Sequence, residues 1–478
     1  MKPAPFDYLR PTAVEEVVAA LGEGGDDARI LAGGLSLVPM MNFRMVTPAV
    51  VVDIGAIGGL QAISDDGSGI EVGAGVAQAE LERWPHLEDR LPLLAAAFPH
   101  VGHYPTRARG TVGGSVAHAD PSAELPLALA VLDGSVRVRS AVNGERLIPA
   151  RAFFEGALAT ACREDEMVVA TRWPAANPGE RHAFDEVALR HGDFAIASCA
   201  VRVCEDRMVV GFGGVADAPV VREWPRLAGD ALDDAFADLA KRIEIVDDGE
   251  GGAEYRRGLV RTLGRRTVER AAAAVPAPSP ANVAVRDVPP PAESGVRGAK
   301  PEVIPAPVIP PIPAGGRQRV EFVLNGERRS AEVPPRLLLS DFLRHRFGRR
   351  GVHVGCEHGV CGACTVRVDG SPARACLLFA VQVDGRRVDT VEGLAAPDGT
   401  LSRLQEAFRR HHALQCGYCT PGILMTMTEW LERLAATGRE PDEAQVRAVL
   451  SGHLCRCTGY APIVAAVLDA ASGRTDDV

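Results

Sequence analysis

Apolar and polar side chains alternate through RVEFVLNGERRSAEV, residues 319–333, on both sides of an Asn-Gly pair. That period of two predicts two antiparallel strands joined by a two-residue turn. LLLSDFLRHRFG then switches to a helical period and CTVRVDG returns to alternation, so the stretch reads as a small β-grasp-like domain. Four amphipathic helical segments follow, LSRLQEAFRRHHAL, ILMTMTEWLERLAAT, DEAQVRAVLSGHL and IVAAVLDAA. The N-terminal part is patterned differently. ARILAGGLSLVPMMNFRM predicts a short strand entering a glycine loop and then an apolar segment. RARGTVGGSVAHADPSAELPLALAVL predicts a second glycine loop ahead of an apolar helix. No run of about 18 apolar residues occurs, so no membrane span is expected.

Composition divides the chain. Its 478 residues exceed a single core, which points to two to four domains. Residues 275–316 hold 12 of the 35 prolines, and proline fixes φ and removes donors, so this segment predicts an extended strap with no core of its own. Of the 11 cysteines, eight fall between Cys356 and Cys457. A net charge of -10 argues against a nucleic-acid partner, and the N-terminus lacks a signal-peptide pattern. A cytoplasmic chain is expected, where reduced thiols serve metal binding or catalysis.

The eight cysteines sort into two fours. Cys356, Cys361, Cys364 and Cys376 follow C-x4-C-x2-C with a distant fourth, the plant-type [2Fe-2S] spacing. Cys416, Cys419, Cys455 and Cys457 lie in pairs between predicted helices, where thiolates from two loops can converge on a second cluster. Two zinc sites are the alternative, although C-x4-C-x2-C suits a tetrahedral knuckle poorly. His358, His411, His412 and His453 read as surface or packing residues, with His358 placed to tune the neighbouring cluster. The two glycine loops, Ala32, Gly33, Gly34, Leu35, Ser36 and Thr111, Val112, Gly113, Gly114, Ser115, suit two sides of a pyrophosphate if each turns several N–H groups outward. Neither is G-x-G-x-x-G, which excludes a Rossmann fingerprint.

GCEHGVCGACTVRVDG, LQCGYCTPG and HLCRCTGY together resemble the small iron-sulfur subunit of the molybdenum hydroxylases, the family of xanthine dehydrogenase and aerobic carbon monoxide dehydrogenase. AGGLSLVPMMNF, RGTVGGSVAHADPSAELP and LRHGDFAIA resemble the family's FAD subunit. The resemblance implies that both glycine loops hold the FAD diphosphate, that Asp120 and Glu124 lie toward the ribityl and flavin, and that Gln415 and Cys457 lie nearest a molybdopterin. It implies no catalytic residue on this chain. GFGGVADAPV, residues 211–220, then reads as a strand turn. One departure stands out: FDEVALRHGDFA carries Asp185 and Glu186 where relatives often have a basic residue.

The expected architecture is multidomain α+β. An FAD-binding α+β module of two subdomains spans residues 1–175, with a C-terminal flavoprotein subdomain over 176–274. A Pro-rich linker covers 275–316, a β-grasp [2Fe-2S] ferredoxin-like domain 317–392, and a four-helix [2Fe-2S] domain 393–473. The resemblance implies an oxidoreductase that passes electrons from a molybdopterin on a separate large subunit through two [2Fe-2S] clusters to FAD. The final acceptor would be NAD, quinone or oxygen, within a higher-order oligomer of the complex. An independent NAD(P)H-dependent flavin and iron-sulfur reductase is the alternative.

Overall fold

The structure, a computed structural model, describes residues 2–278 and 309–472. The chain opens on a three-stranded parallel sheet in which Val50–Asp53 lies between Asp7–Leu9 and Ala28–Leu31. A five-stranded antiparallel sheet follows, ordered Ile63–Asp65, Gly69–Gly73, Glu166–Pro174, Ser135–Ser140 and Gly144–Pro149. Every residue of the helix Glu124–Val131 is buried, its main strand contacts being with Ala195–Val203 and Arg207–Gly213. A helix apolar on all sides has no face to give to water, and LPLALAV meets that condition.

Residues 181–225 form a four-stranded antiparallel meander backed by the helices Asp230–Arg242 and Ala253–Ala273. The 211–220 segment forms the end of one strand and the turn into the next, as expected.

The alternation at 319–333 yields the hairpin Gln318–Leu324 and Glu327–Val333. Asn325 and Gly326 have φ of 50° and 84°, the left-handed pair that a two-residue turn of matching twist requires. A parallel pairing of Gln318–Leu324 with Arg387–Asp389 completes a five-stranded mixed sheet packed by the helix Leu339–Arg346. The helices Arg403–Arg410, Thr420–Ala436, Glu443–Leu450 and Ala461–Ala471 follow, matching the four predicted segments.

The modules share a core. Phe6, Tyr8, Leu31, Val38, Met41 and Val51 pack in one buried cluster with Phe322, Phe342, Phe379 and Val388 of the ferredoxin-like sheet. The Phe6 and Phe379 rings are 5.0 Å apart. The expected polyproline strap lies mostly outside the described residues, and its two described ends, though without a core of their own, dock on the modules they join. Ala277 exchanges backbone hydrogen bonds with Gly179 and Glu180. Ile309 and Ile312 are buried in the shared core, and Ile312 exchanges backbone bonds of 2.8 and 2.9 Å with Tyr8. Isoleucine amid the prolines supplies the burial that proline-rich composition alone does not suggest.

Candidate cofactor sites

The two glycine segments come together, but they are not alike. Ala32 to Ser36 is an open loop after a strand. Among the described residues, none of the N–H groups of Gly33, Gly34, Leu35 and Ser36 donates to another group of the chain. Four adjacent free donors form a cradle for a diphosphate, so the residues fit the FAD that the resemblance implies. A Cβ on Gly33 would overlap the Arg109 carbonyl oxygen, which fixes glycine where this loop meets the second segment.

That second segment is not the loop expected. Thr111 caps a helix, Val112–His118, and its hydroxyl accepts from the Gly114 N–H at 2.9 Å. Val112 donates to the Val76 carbonyl and Ser115 to the Thr111 carbonyl, so of these five residues Thr111 and Gly113 keep free backbone donors. The threonine three residues before Gly114 was the available signal for an N-cap.

Asp120 accepts from the Ser122 N–H, while Glu124 is buried at the start of the apolar helix. Burial first, and then the Glu186 charge, push the Glu124 carboxyl up to about 8. The acidic pair noted beforehand divides across its strand. Asp185 pairs with Arg266 and Arg270 on the helix Ala253–Ala273, whereas Glu186 lies 3.3 Å from His100. Only Glu186 thus bears on the Glu124 side.

The first four cysteines lie in and after the loop that follows Leu339–Arg346. Cys364 and Cys376 are buried, and Cys356 and Cys361 are half-buried. The thiols of Cys361 and Cys376 hold Cys356 well below the usual thiol range, while they themselves are pushed up by it. The Cys361 N–H points at the Cys356 sulfur, 3.4 Å away. In the second set Cys419 interacts with Cys455 and Cys416 with Cys457, and the Tyr418 N–H lies 3.5 Å from the Cys416 sulfur. Among the described residues, no three His, Cys, Asp or Glu side chains crowd the single point that one metal ion would occupy. The first four thiols adjoin one another, the second four adjoin in two pairs, and backbone donors are aimed at sulfur in both, a donor set that fits two-iron clusters.

Exposure grades across the sites. Cys416 and Cys457 are exposed, as is Gln415, beside exposed Leu414, Tyr418 and Leu454. The Leu454 N–H donates to the Cys361 carbonyl at 3.0 Å, linking the residue before Cys455 to the first set. Asn42 then donates to the carbonyls of Cys376, at 3.1 Å, and Glu357, at 2.7 Å. A Cβ on Gly34 would lie 3.2 Å from the Leu377 carbonyl oxygen, so the first glycine loop abuts the residue after Cys376.

The histidines behave unequally. His358 Nδ1 lies 2.6 Å from the Cys356 carbonyl, and His411 pairs with Asp469. His453 is fully buried, with Nε2 2.8 Å from the Thr426 hydroxyl. Sequence reasoning singled out neither Arg374, buried beside the first cysteine set, nor His103, which packs on Gly452 from the FAD module. The position of Arg374 two residues before Cys376 was the one signal for it.

Comparison with known proteins agrees with this division. Residues 4–176 match the family model of the FAD binding domain in molybdopterin dehydrogenase. Residues 322–392 match a 2Fe-2S iron-sulfur cluster binding domain, and 390–468 a [2Fe-2S] binding domain. The chain is therefore an oxidoreductase component that carries FAD-binding and iron-sulfur domains.

It is 35% identical over 284 residues to the caffeine dehydrogenase subunit beta of Pseudomonas sp. (strain CBB1), covering 57% of this chain and 96% of that one. Over another 154 residues it is 53% identical to the nicotine 6-hydroxylase small subunit of Paenarthrobacter nicotinovorans, 32% of this chain and 90% of that one. A solved carbon monoxide dehydrogenase chain from Hydrogenophaga pseudoflava aligns at 32% identity with a TM-score of 0.55, covering 57% of this chain and 99% of that one. The chain belongs to the molybdenum hydroxylase family, and it joins in one polypeptide the segments that match separate FAD-binding and iron-sulfur subunits. No helix among the described residues is long and apolar enough to cross a membrane.

Proposed function

We propose that this chain is the electron-transfer component of a molybdenum hydroxylase complex, carrying electrons from a molybdopterin centre on a separate large subunit to FAD. When bound, the two clusters exchange single electrons and FAD accepts one or two. Cys416, Cys419, Cys455 and Cys457 hold the entry cluster, and Cys356, Cys361, Cys364 and Cys376 the second. Ala32 to Ser36, Thr111 to Ser115, Asp120 and Glu124 line the flavin side. The functional divisions follow at 1–175, 176–274, 275–316, 317–392 and 393–473.

One observation carries this order: the two sets are joined by the bond from the Leu454 N–H to the Cys361 carbonyl, and the first set meets the N-terminal module where the Asn42 side chain donates to the Cys376 carbonyl and Gly34 abuts Leu377. The exposed end of that line, around Cys416 and Cys457, is the docking face for the large subunit. Its thiols require a reducing compartment, which favours the cytoplasm.

The test is to tag this chain in its native host, isolate what it binds, and assay the complex for molybdenum, iron and flavin. Four irons and one FAD per chain, with a molybdenum-bearing partner, are expected. In the same complex Cys457→Ser should stop substrate from reducing the flavin while dithionite still reduces it. Isolation without any molybdenum-bearing chain would leave the independent reductase as the better reading.

A further inference from the structure

Arg374 is among the most completely buried side chains of the protein, yet among the described residues its side-chain contacts are all to neutral acceptors and none is an ion pair with a carboxylate. Its guanidinium donates to the carbonyls of Gly362, at 3.4 Å, and Gly452, at 2.5 Å, and to the Thr365 hydroxyl, while Nε has no partner. Those acceptors are neutral. A buried charge without a counter-charge costs several kcal/mol, so the side chain calls for an anion that the polypeptide does not supply. Two of its three acceptors, Gly362 and Thr365, flank Cys364 in the first ligand loop, so the guanidinium is fixed against the first set, and its charge also bears on His103 and His453.

We propose that Arg374 is the positioning residue of the junction between the two clusters and that its counter-charge is the cluster held by Cys356, Cys361, Cys364 and Cys376. The inference rests on the cluster assignment above. An iron-sulfur cluster ligated by four thiolates is anionic and gains one negative charge on reduction. A fixed guanidinium beside it favours the reduced form and raises its potential relative to the entry cluster. The transfer so favoured moves one electron, oxidising the donor cluster by one and reducing the acceptor by one, with no atom or proton displaced.

The same fork fixes geometry. Gly362 lies between Cys361 and Cys364, and Gly452 lies three residues before Cys455, so one planar group ties both ligand loops together. Gly362, with φ of 76°, has no room for a Cβ because His453 lies against it. His103 closes the junction from the FAD module: a Cβ on Gly452 would lie 2.9 Å from its Cβ.

The experiment is an anaerobic, EPR-monitored redox titration of the full chain and its Arg374→Gln and Arg374→Lys variants, with iron counted in each preparation. In Arg374→Gln the reduction equilibrium of the first cluster should shift at least tenfold toward oxidised, about 59 mV for a one-electron couple. The entry cluster should shift less. Arg374→Lys, which keeps a charge, should hold the wild-type midpoint within a threefold change in that equilibrium.

Four irons in Arg374→Gln with both midpoints unmoved would overturn the proposal, as would an equal shift of both clusters. If Arg374→Gln loses iron, Arg374→Lys decides: four irons at the wild-type midpoint support the proposal, and a lowered midpoint or lost iron overturns it. Fewer than four irons in the wild-type chain would instead defeat the cluster assignment, and the proposal with it.

Discussion

Gln382 of the ferredoxin-like domain donates its side-chain amide to Asp53 of the N-terminal parallel sheet, a fully buried hydrogen bond of 2.9 Å between residues 329 positions apart. The same carboxylate oxygen accepts from the Tyr8 hydroxyl at 2.6 Å, and the other oxygen from the Gly55 N–H at 2.8 Å. One carboxylate therefore ties the sheet, its turn and the neighbouring module together.

Asp53→Ala leaves both the Tyr8 hydroxyl and the Gln382 amide buried without an acceptor, and each such group costs about 1–3 kcal/mol. Denaturant unfolding should show a loss of at least about 2 kcal/mol. Gln382→Leu removes one donor and leaves Asp53 its other partners, so its loss should be smaller. Equal stability of Asp53→Ala and wild type would mean that the interface does not depend on this carboxylate.

The FAD loop offers a sharper test than the second glycine segment. Gly33→Val places a side chain against the Arg109 carbonyl and forces the two segments apart. The purified variant should lose flavin absorbance and keep its iron. Gly114→Val brings its Cβ to about 2.7 Å from the Thr111 hydroxyl oxygen, so its first effect is on the helix cap and flavin loss should be partial.

Glu124 gives the fold a signature in pH. Its ordinary value is 4.5 and burial beside Glu186 raises it to about 8 in the folded chain. The folded state then binds a proton that the unfolded state releases. The resulting stabilisation is complete below about 4.5, declines as pH rises toward about 8, and is absent above that. Relative to wild type, Glu124→Gln should gain stability across this window, by up to about 1.4 kcal/mol per pH unit, and the gap should stay constant above it. Denaturation midpoints at pH 5, 7 and 9 check this, and a gap independent of pH would exclude a raised carboxyl.

Where the strap is cut should matter. Pieces 1–278 and 309–478 keep Ala277, Ile309 and Ile312, and should reassociate tightly when mixed. Pieces 1–275 and 317–478 lose all three. Burying an isoleucine contributes about 1.5–3 kcal/mol, so the second pair should bind at least a hundredfold more weakly by calorimetry. Equal affinity for both pairs would mean that the docked ends of the strap contribute nothing to the association of the modules.

The local features of this fold were legible because local chemistry determines them. Asn325 and Gly326 announce their turn, and the helical periods around Cys416, Cys419, Cys455 and Cys457 place those thiols at helix ends. Thr111 shows the limit of that reading. A glycine pair looked like an open loop until the capping hydroxyl was seen to close it into a helix. Arg374, His103 and the docked Ile312 were not legible at all. Each draws its meaning from a neighbour far along the chain, and alternation or spacing carries no trace of such a neighbour.

The cover that Asn42 places over Cys376 also separates the two sites in their access to solvent. Cys364 and Cys376 are sealed beneath the N-terminal module, whereas Cys416 and Cys457 face outward. With the helix Leu37–Asn42 in place, the first site shows only half-buried ligands, while the second keeps two exposed ones. Carrying both modules on one ribbon sets the order of synthesis: the covering module is made first, and Phe6, Tyr8 and Leu31 complete their core only when the ferredoxin-like segment arrives.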